Sequence, residues 1–294
     1  MVKKMFFDIH SHVYKYQYPS GGGQMLFIDP EQLKETHAKM NITRAALLPI
    51  VHPEVYIPQS VGEIIDFANE SNGQWIPFCN IDPRALSNSS NSPMGILLDH
   101  YMKLGCKGIG EFMPNMPWKD PRVLNLLGHV EKAGIPLLFD MTGRLDSGYG
   151  IYDEPGMPQL EYCLNKFKDL IFIGHGPSFW AEISELKNPG DHLTYPTYKV
   201  YKEGRVPQLM REYPNLWVDL SAGSGSNAMM RDPEYAVSFL NEFHDRTMFG
   251  TDICYYQQGF NLCEFIIGLR DNNSISEEIF QKIAHLNAER LLKL

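Results

Sequence analysis

Several features are missing from this chain, and each absence narrows what it can be. No run approaches the ~18 consecutive apolar residues that a membrane-spanning helix needs. The N-terminus turns polar at Asp8 and so lacks the apolar stretch of a signal peptide. Basic blocks are absent beyond the short Lys3-Lys4 pair. With a net charge of −9, nucleic-acid phosphates are repelled on average, so neither nucleic acid nor a membrane is expected as a partner. The five cysteines (Cys79, Cys106, Cys163, Cys254 and Cys263) are odd in number and show no CxxC spacing. They therefore offer neither a disulfide framework nor a zinc-finger signal, and a reducing, cytoplasmic setting is the expectation. No GxGxxG follows the first apolar run, and Ser224-Gly225-Ser226 lacks the Gly-x-Ser-x-Gly turn of a strained serine nucleophile.

What is present is a rhythm. Eight short apolar runs occur at 5–10, 44–50, 75–81, 106–112, 135–141, 170–176, 216–221 and 247–253. Each has the length and near-continuous hydrophobicity of a buried parallel strand. Between them lie segments with helical spacing: 30–40, 61–72, 93–104, 121–133, 158–167, 206–213, 233–243 and 260–269, followed by 276–285 and 287–292. Five of the first eight open on proline, which suits the first helical turn. Parallel strands require crossover helices, so eight of each predict an α/β fold, a (β/α)8 TIM barrel. Its 294 residues fit one domain spanning 1–294. The alternative, an open doubly wound sheet, normally carries the missing glycine-rich fingerprint. Three connections are long, 11–29, 142–157 and 177–205, and all leave the strand ends where barrel enzymes build their sites.

The chemistry sits at the strand tips. In Asp8-Ile9-His10-Ser11-His12, residues two apart share a face of a strand, so Asp8, His10 and His12 are expected to point inward together. Two imidazoles so placed can grip one metal ion. Further apolar runs end on Glu111, Asp140, His175 and Asp252. An ionisable group at the tip of a buried strand is costly unless it is paired, hydrogen-bonded or metal-bound. Five tips doing this on one face point to a metal centre.

The Asp-x-His-x-His opening, Gly174-His175-Gly176-Pro177, Gly250-Thr251-Asp252 and the closing Asn287-Ala288-Glu289-Arg290-Leu291-Leu292 resemble the amidohydrolase superfamily. The resemblance runs from Phe6 to Leu292 and is nearest to the amidohydrolase-2 type, the branch of aminocarboxymuconate-semialdehyde decarboxylase. It implies a metal held by His10, His12 and Asp252, with His175 as a general acid/base or, as in binuclear relatives, a ligand of a second metal. It also implies that Asp252 takes a proton from water. The branch usually has a histidine at the end of strand five, where this chain has Asp140. Glu111 is therefore taken as a metal ligand as well, and Asp140 as a ligand or an acceptor behind the ligands. Asp8 is expected to orient the histidine pair by accepting a ring N–H. The cofactor expected is a divalent metal, zinc first, with manganese or iron as alternatives.

Arg84 and Arg144, after strands three and five, are candidates for clamping a substrate carboxylate, and Trp180 for lining the pocket. The function expected is hydrolysis of a small ester, lactone or amide by metal-activated water. The alternatives are metal-dependent non-oxidative decarboxylation or hydration of a small unsaturated or aromatic acid, and a non-enzymatic barrel that keeps a metal. The expected partner is a small-molecule substrate, and the resemblance points to a homo-oligomer.

Overall fold

The computed structural model describes residues 6–19, 23, 25–55 and 58–294. Eight parallel strands form the frame: β1 (Phe6–Ser11), β2 (Ile42–Leu47), β3 (Trp75–Pro77), β4 (Ile109–Phe112), β5 (Leu137–Thr142), β6 (Phe172–His175), β7 (Leu216–Asp219) and β8 (Thr247–Met248). The ladders run β1–β2–β3 and β4–β5–β6–β7–β8. Two contacts close the ring. A parallel bridge between Cys79 and Ile109 joins the end of β3 to β4. The N–H of Ile9 donates to Phe249 O at 3.1 Å, joining β1 to the end of β8. The result is the expected (β/α)8 barrel. Residue 5, where the first strand was expected to start, lies outside the described residues.

Local chemistry explains the elements around it. The helix Pro30–Lys39 starts on Asp29, whose side chain accepts the N–H of Gln32 while the Gln32 side chain accepts the N–H of Asp29. This reciprocal capping satisfies donors the first turn leaves free. The helix Pro121–Ala133 starts after Asp120, which accepts Arg122 N–H, and stops at Gly134 with φ 69°. Strands are shorter than the apolar runs suggested, because the runs continue into the turns leading to the site.

Apolar side chains fill both sides of the strands. Phe7, Ile9, Ala46, Leu48, Ile76, Phe78, Leu138, Ile173, Trp217 and Met248 pack inside the barrel, with Ala288 and Leu292 of the helix Asn287–Leu292 against them. Phe172, Phe139 and Val218 belong to the larger cluster between strands and helices. Among the described residues, no helix is long and apolar enough to cross a membrane. The helix Ala222–Met230 has no counterpart in the sequence expectations, which left that stretch as a loop.

Candidate metal centre

Strand β1 reaches the site by breaking its own alternation. Phe7 and Ile9 face the barrel interior. Asp8 instead meets His37 of the first helix, whose Nε2 lies 3.5 Å from its Oδ2. The Asp8 carboxylate accepts the backbone N–H groups of His10 (3.0 Å) and Thr251 (2.8 Å), and the hydroxyls of Ser11 (2.6 Å) and Thr251 (2.5 Å). Four donors saturate it. The β1–β2 ladder is irregular between Asp8 and Ser11, which brings His10 and His12 together over the barrel mouth. Asp8 therefore does not share their face, and it accepts no ring N–H from the pair. Both sequence expectations for it are corrected.

Asp219, at the tip of β7, takes the part assigned to Asp8. Its Oδ2 lies 2.8 Å from His10 Nδ1 and 3.3 Å from His175 Nδ1. The Ser221 hydroxyl sits 3.2 Å and 3.1 Å from the same two nitrogens. His12 Nδ1 is 2.9 Å from the carbonyl of Leu48. Acceptors at Nδ1 of His10 and His12 fix the proton there and leave each Nε2 lone pair aimed at the centre. Those two Nε2 atoms are 3.1 Å apart. Facing lone pairs at this distance repel unless a cation or proton lies between them.

Glu111 and Asp252 complete the cage. Glu111 Oε2 is 3.5 Å from His10 Nε2 and 3.3 Å from His12 Nε2. Asp252 Oδ1 is 3.6 Å and 3.3 Å from the same atoms. Ligands bound at 2.0–2.2 Å to one ion stand about 3.3–3.6 Å apart at the corners of a tetrahedron. The observed spacings of 3.1–3.6 Å match that edge length, so the donor set fits a divalent ion. His175 Nε2 lies by the other carboxylate oxygens, 3.7 Å from Glu111 Oε1 and 3.8 Å from Asp252 Oδ2. Two overlapping groups of potential ligands result: His10, His12 and Asp252, and His10, Glu111 and His175. Asp252 is held by a left-handed turn (φ 51°), a conformation Asp tolerates better than most residues, and its N–H donates to His10 O at 2.8 Å. Its side chain is 17% exposed while the others are nearly inaccessible, so solvent reaches the centre past Asp252.

The charges are strongly coupled. Burial works against protonated His10, but Glu111, Asp252 and Asp219 outweigh it and raise its pKa well above the usual value. For His12, burial is likewise outweighed by hydrogen bonds to Asp252 and Glu111, and the pKa is pushed up to about 9. Burial alone would raise Glu111 and Asp219, yet the histidines facing each hold both below the usual carboxylate range. The buried site thus attracts positive charge, which a metal ion can supply in place of protons.

Residues 112–294, more than half of the chain, match the family model described as amidohydrolase. The chain belongs to the amidohydrolase family. It is therefore an enzyme of the amidohydrolase type. No curated protein matches it. Among solved structures, it is similar to a zinc-bound amidohydrolase from Burkholderia multivorans, with a TM-score of 0.62, 12% identity and 99% of each chain covered. It is also similar to 2,6-dihydroxybenzoate decarboxylase from Rhizobium, with a TM-score of 0.58, 16% identity and 99% of each chain covered. A third is a manganese-bound 5-carboxyvanillate decarboxylase from Novosphingobium aromaticivorans, with a TM-score of 0.59 and 14% identity, covering 91% of this chain and 82% of that one. At these identities the likeness speaks to the fold.

In this amidohydrolase the remaining sequence candidates part ways. Asp140 joins neither ligand group among the described residues. It is buried beside His175, its register partner on β6, and burial together with the charges of Glu111 and Asp252 pushes its carboxyl well above the usual range. The guanidinium of Arg84 is already taken up by carboxylates. It donates to Asp82 and to Glu54 through four bonds of 2.7–3.1 Å, and Asp82 in turn lies 3.0 Å from His52 Nδ1. Trp180 is 2% exposed among Phe179 and Phe239. Rather than lining a pocket, it braces the site from behind, its Nε1–H donating to Asp219 O at 3.1 Å. Arg144 is exposed and lines a cavity of about 440 Å³ with Asp140 and Ser178. Sequence reasoning missed Asp219 and Ser221, although Leu216-Trp217-Val218 running into Asp219 is the same signal that marked the other strand tips.

Proposed function

We propose that this amidohydrolase hydrolyses a small ester, lactone or amide. The observation that carries the reading is the convergence of His10 Nε2, His12 Nε2, Glu111 Oε2 and Asp252 Oδ1 at 3.1–3.6 Å, with His175 alongside. His10, His12, Glu111 and Asp252 would hold one divalent ion, and imidazoles with carboxylates suit zinc or manganese. Such an ion lowers the pKa of water toward neutrality and polarises a carbonyl. Asp252 would take up the proton released from water at Oδ2, the oxygen turned toward His175. That oxygen lies 3.8 Å from His175 Nε2, so His175 can pass the proton on to the leaving group. Asp219 and Ser221 hold the His175 ring in place from its Nδ1 side.

A second reading is favoured by one observation. Asp140, buried beside His175 and in the wall of the neighbouring cavity, is placed where decarboxylation needs a proton donor when carbon dioxide leaves. Elemental analysis of wild type beside His12→Ala tests the centre, with about one equivalent of ion expected in wild type and little in the variant. A panel of lactones, esters, amides and unsaturated acids then separates the reactions, carbon dioxide release marking the second. Asp252→Asn should keep the ion and lose about 100-fold or more in turnover. No metal uptake by wild type, or full activity of Asp252→Asn, would overturn the reading.

A further inference from the structure

Ten arginines occur in the chain, and nine have their guanidinium engaged. Arg44, Arg84, Arg122, Arg205, Arg211 and Arg270 pair with carboxylates. Arg231, Arg246 and Arg290 donate to backbone carbonyls. Among the described residues only Arg144 has no hydrogen bond, ion pair or ring contact at its guanidinium. In a protein of net charge −9, an arginine whose guanidinium has no partner is conspicuous.

Its backbone, by contrast, is pinned. The N–H of Arg144 donates to Thr142 Oγ1 at 3.3 Å, and its carbonyl accepts Asn115 Nδ2 at 2.8 Å. Asn115 Oδ1 also accepts the N–H of Asp146 at 2.9 Å, so one side chain from the β4 loop ties both flanks of the turn. Further along, Gly150 N–H donates to Met113 O at 2.9 Å. The loop is held in place while the charge it carries is left open.

That charge faces the cavity of about 440 Å³, within the size range of small-molecule sites. Asp140 forms one wall, and Pro177 and Ser178, which follow His175-Gly176 in the chain, form another, so the cavity opens beside the candidate metal centre. We propose that Arg144 is the anion-recognition residue of this enzyme, pairing with a carboxylate that the substrate carries apart from its reacting bond. This rests on the reading of the centre as an active site, and it limits the substrates to small carboxylates. A guanidinium binds a carboxylate through two parallel bonds, whereas a lysine offers only a point charge.

Benzoate and its neutral analogue benzamide serve as probes. Calorimetric titration compares wild type, Arg144→Gln and Arg144→Lys, each metal-free and manganese-loaded. Benzoate is expected to bind wild type in both forms, and about tenfold or more weakly in Arg144→Gln. Arg144→Lys should fall between them, and benzamide should bind all three equally weakly. Equal benzoate affinity in wild type and Arg144→Gln would overturn the proposal, as would failure of wild type to bind benzoate. Because Arg144 is exposed, its replacement leaves the core intact. The metal-free arm keeps the two readings separate: absence of metal uptake defeats the proposed function, while benzoate binding still reports on Arg144.

Discussion

Replacing Asp219 with Asn removes one negative charge and almost no volume, and its expected effect on metal affinity follows from geometry. Asp219 Oδ2 accepts from His10 Nδ1 at 2.8 Å and faces His175 Nδ1 at 3.3 Å. In Asp219→Asn one amide oxygen must serve both sides: placed at Oδ2 it leaves an N–H₂ group against the Ser221 N–H that Oδ1 now accepts, and placed at Oδ1 it turns the N–H₂ group toward both rings. Relief of the Ser221 clash favours the second orientation, in which His10 must shift its proton to Nε2, where it blocks the lone pair needed by the ion, or rotate away. Loss of such a partner typically costs 10–100-fold in metal affinity for one ligating histidine. With His10 a ligand in both candidate groups, about 100-fold weaker binding is expected, or ~2.7 kcal/mol. Competition against a chromophoric chelator measures this directly for zinc and for manganese. Thermal unfolding of the metal-free variant serves as the control for folding. A change of less than about threefold, with the fold intact, would refute the argument that Asp219 fixes the histidine tautomer.

Metal uptake should release protons. His12 is raised to about 9 in the metal-free protein, so at pH 7 it carries a proton that the ion must displace, and affinity for the ion should rise with pH until about pH 9. Calorimetry of metal binding in two buffers of different ionisation enthalpy checks this, and no buffer dependence at pH 7 would contradict it. The same shift has a sign for stability. A histidine pKa raised in the folded state stabilises the metal-free fold fully below its unfolded pKa of about 6.5. That contribution is lost as pH climbs from there through about 9, so the metal-free melting temperature should fall over this window. Gly174→Ala should destabilise the fold by about 1–3 kcal/mol, seen in chemical denaturation, because an added Cβ would overlap the Phe179 ring.

Much of the site was legible because its donors end apolar strands. Glu111, His175 and Asp252 each follow a buried run, and the barrel brings such positions to one face. What was not legible depends on where side chains turn. Asp8 was expected inward by strict alternation, but its short carboxylate found hydroxyls and backbone donors nearer than any ring, and the strand buckled around it. Arg84 lies on the expected face, yet Glu54 and Asp82 occupy its guanidinium. The helix Ala222–Met230 escaped notice for a different reason. Its opening, Ala-Gly-Ser-Gly-Ser-Asn, has low helix propensity, and Ser221 makes no capping bond because its hydroxyl faces His10 and His175. Burial of Ala228 and Met229 holds that helix instead.

The seam of the barrel has a temporal meaning. His10 and His12 lie near the beginning of the chain and Asp252 some 240 residues later, and they meet only where Ile9 bonds to Phe249 and Asp252 to His10. While the chain is being synthesised, the histidine pair leaves the ribosome long before the carboxylate that faces it. Closing a contact over so many residues is a late event in folding. An ion arriving early would find two flexible imidazoles and no cage. Metal capture thus reports completion of the barrel: a truncated chain ending before Asp252 lacks one side of the cage.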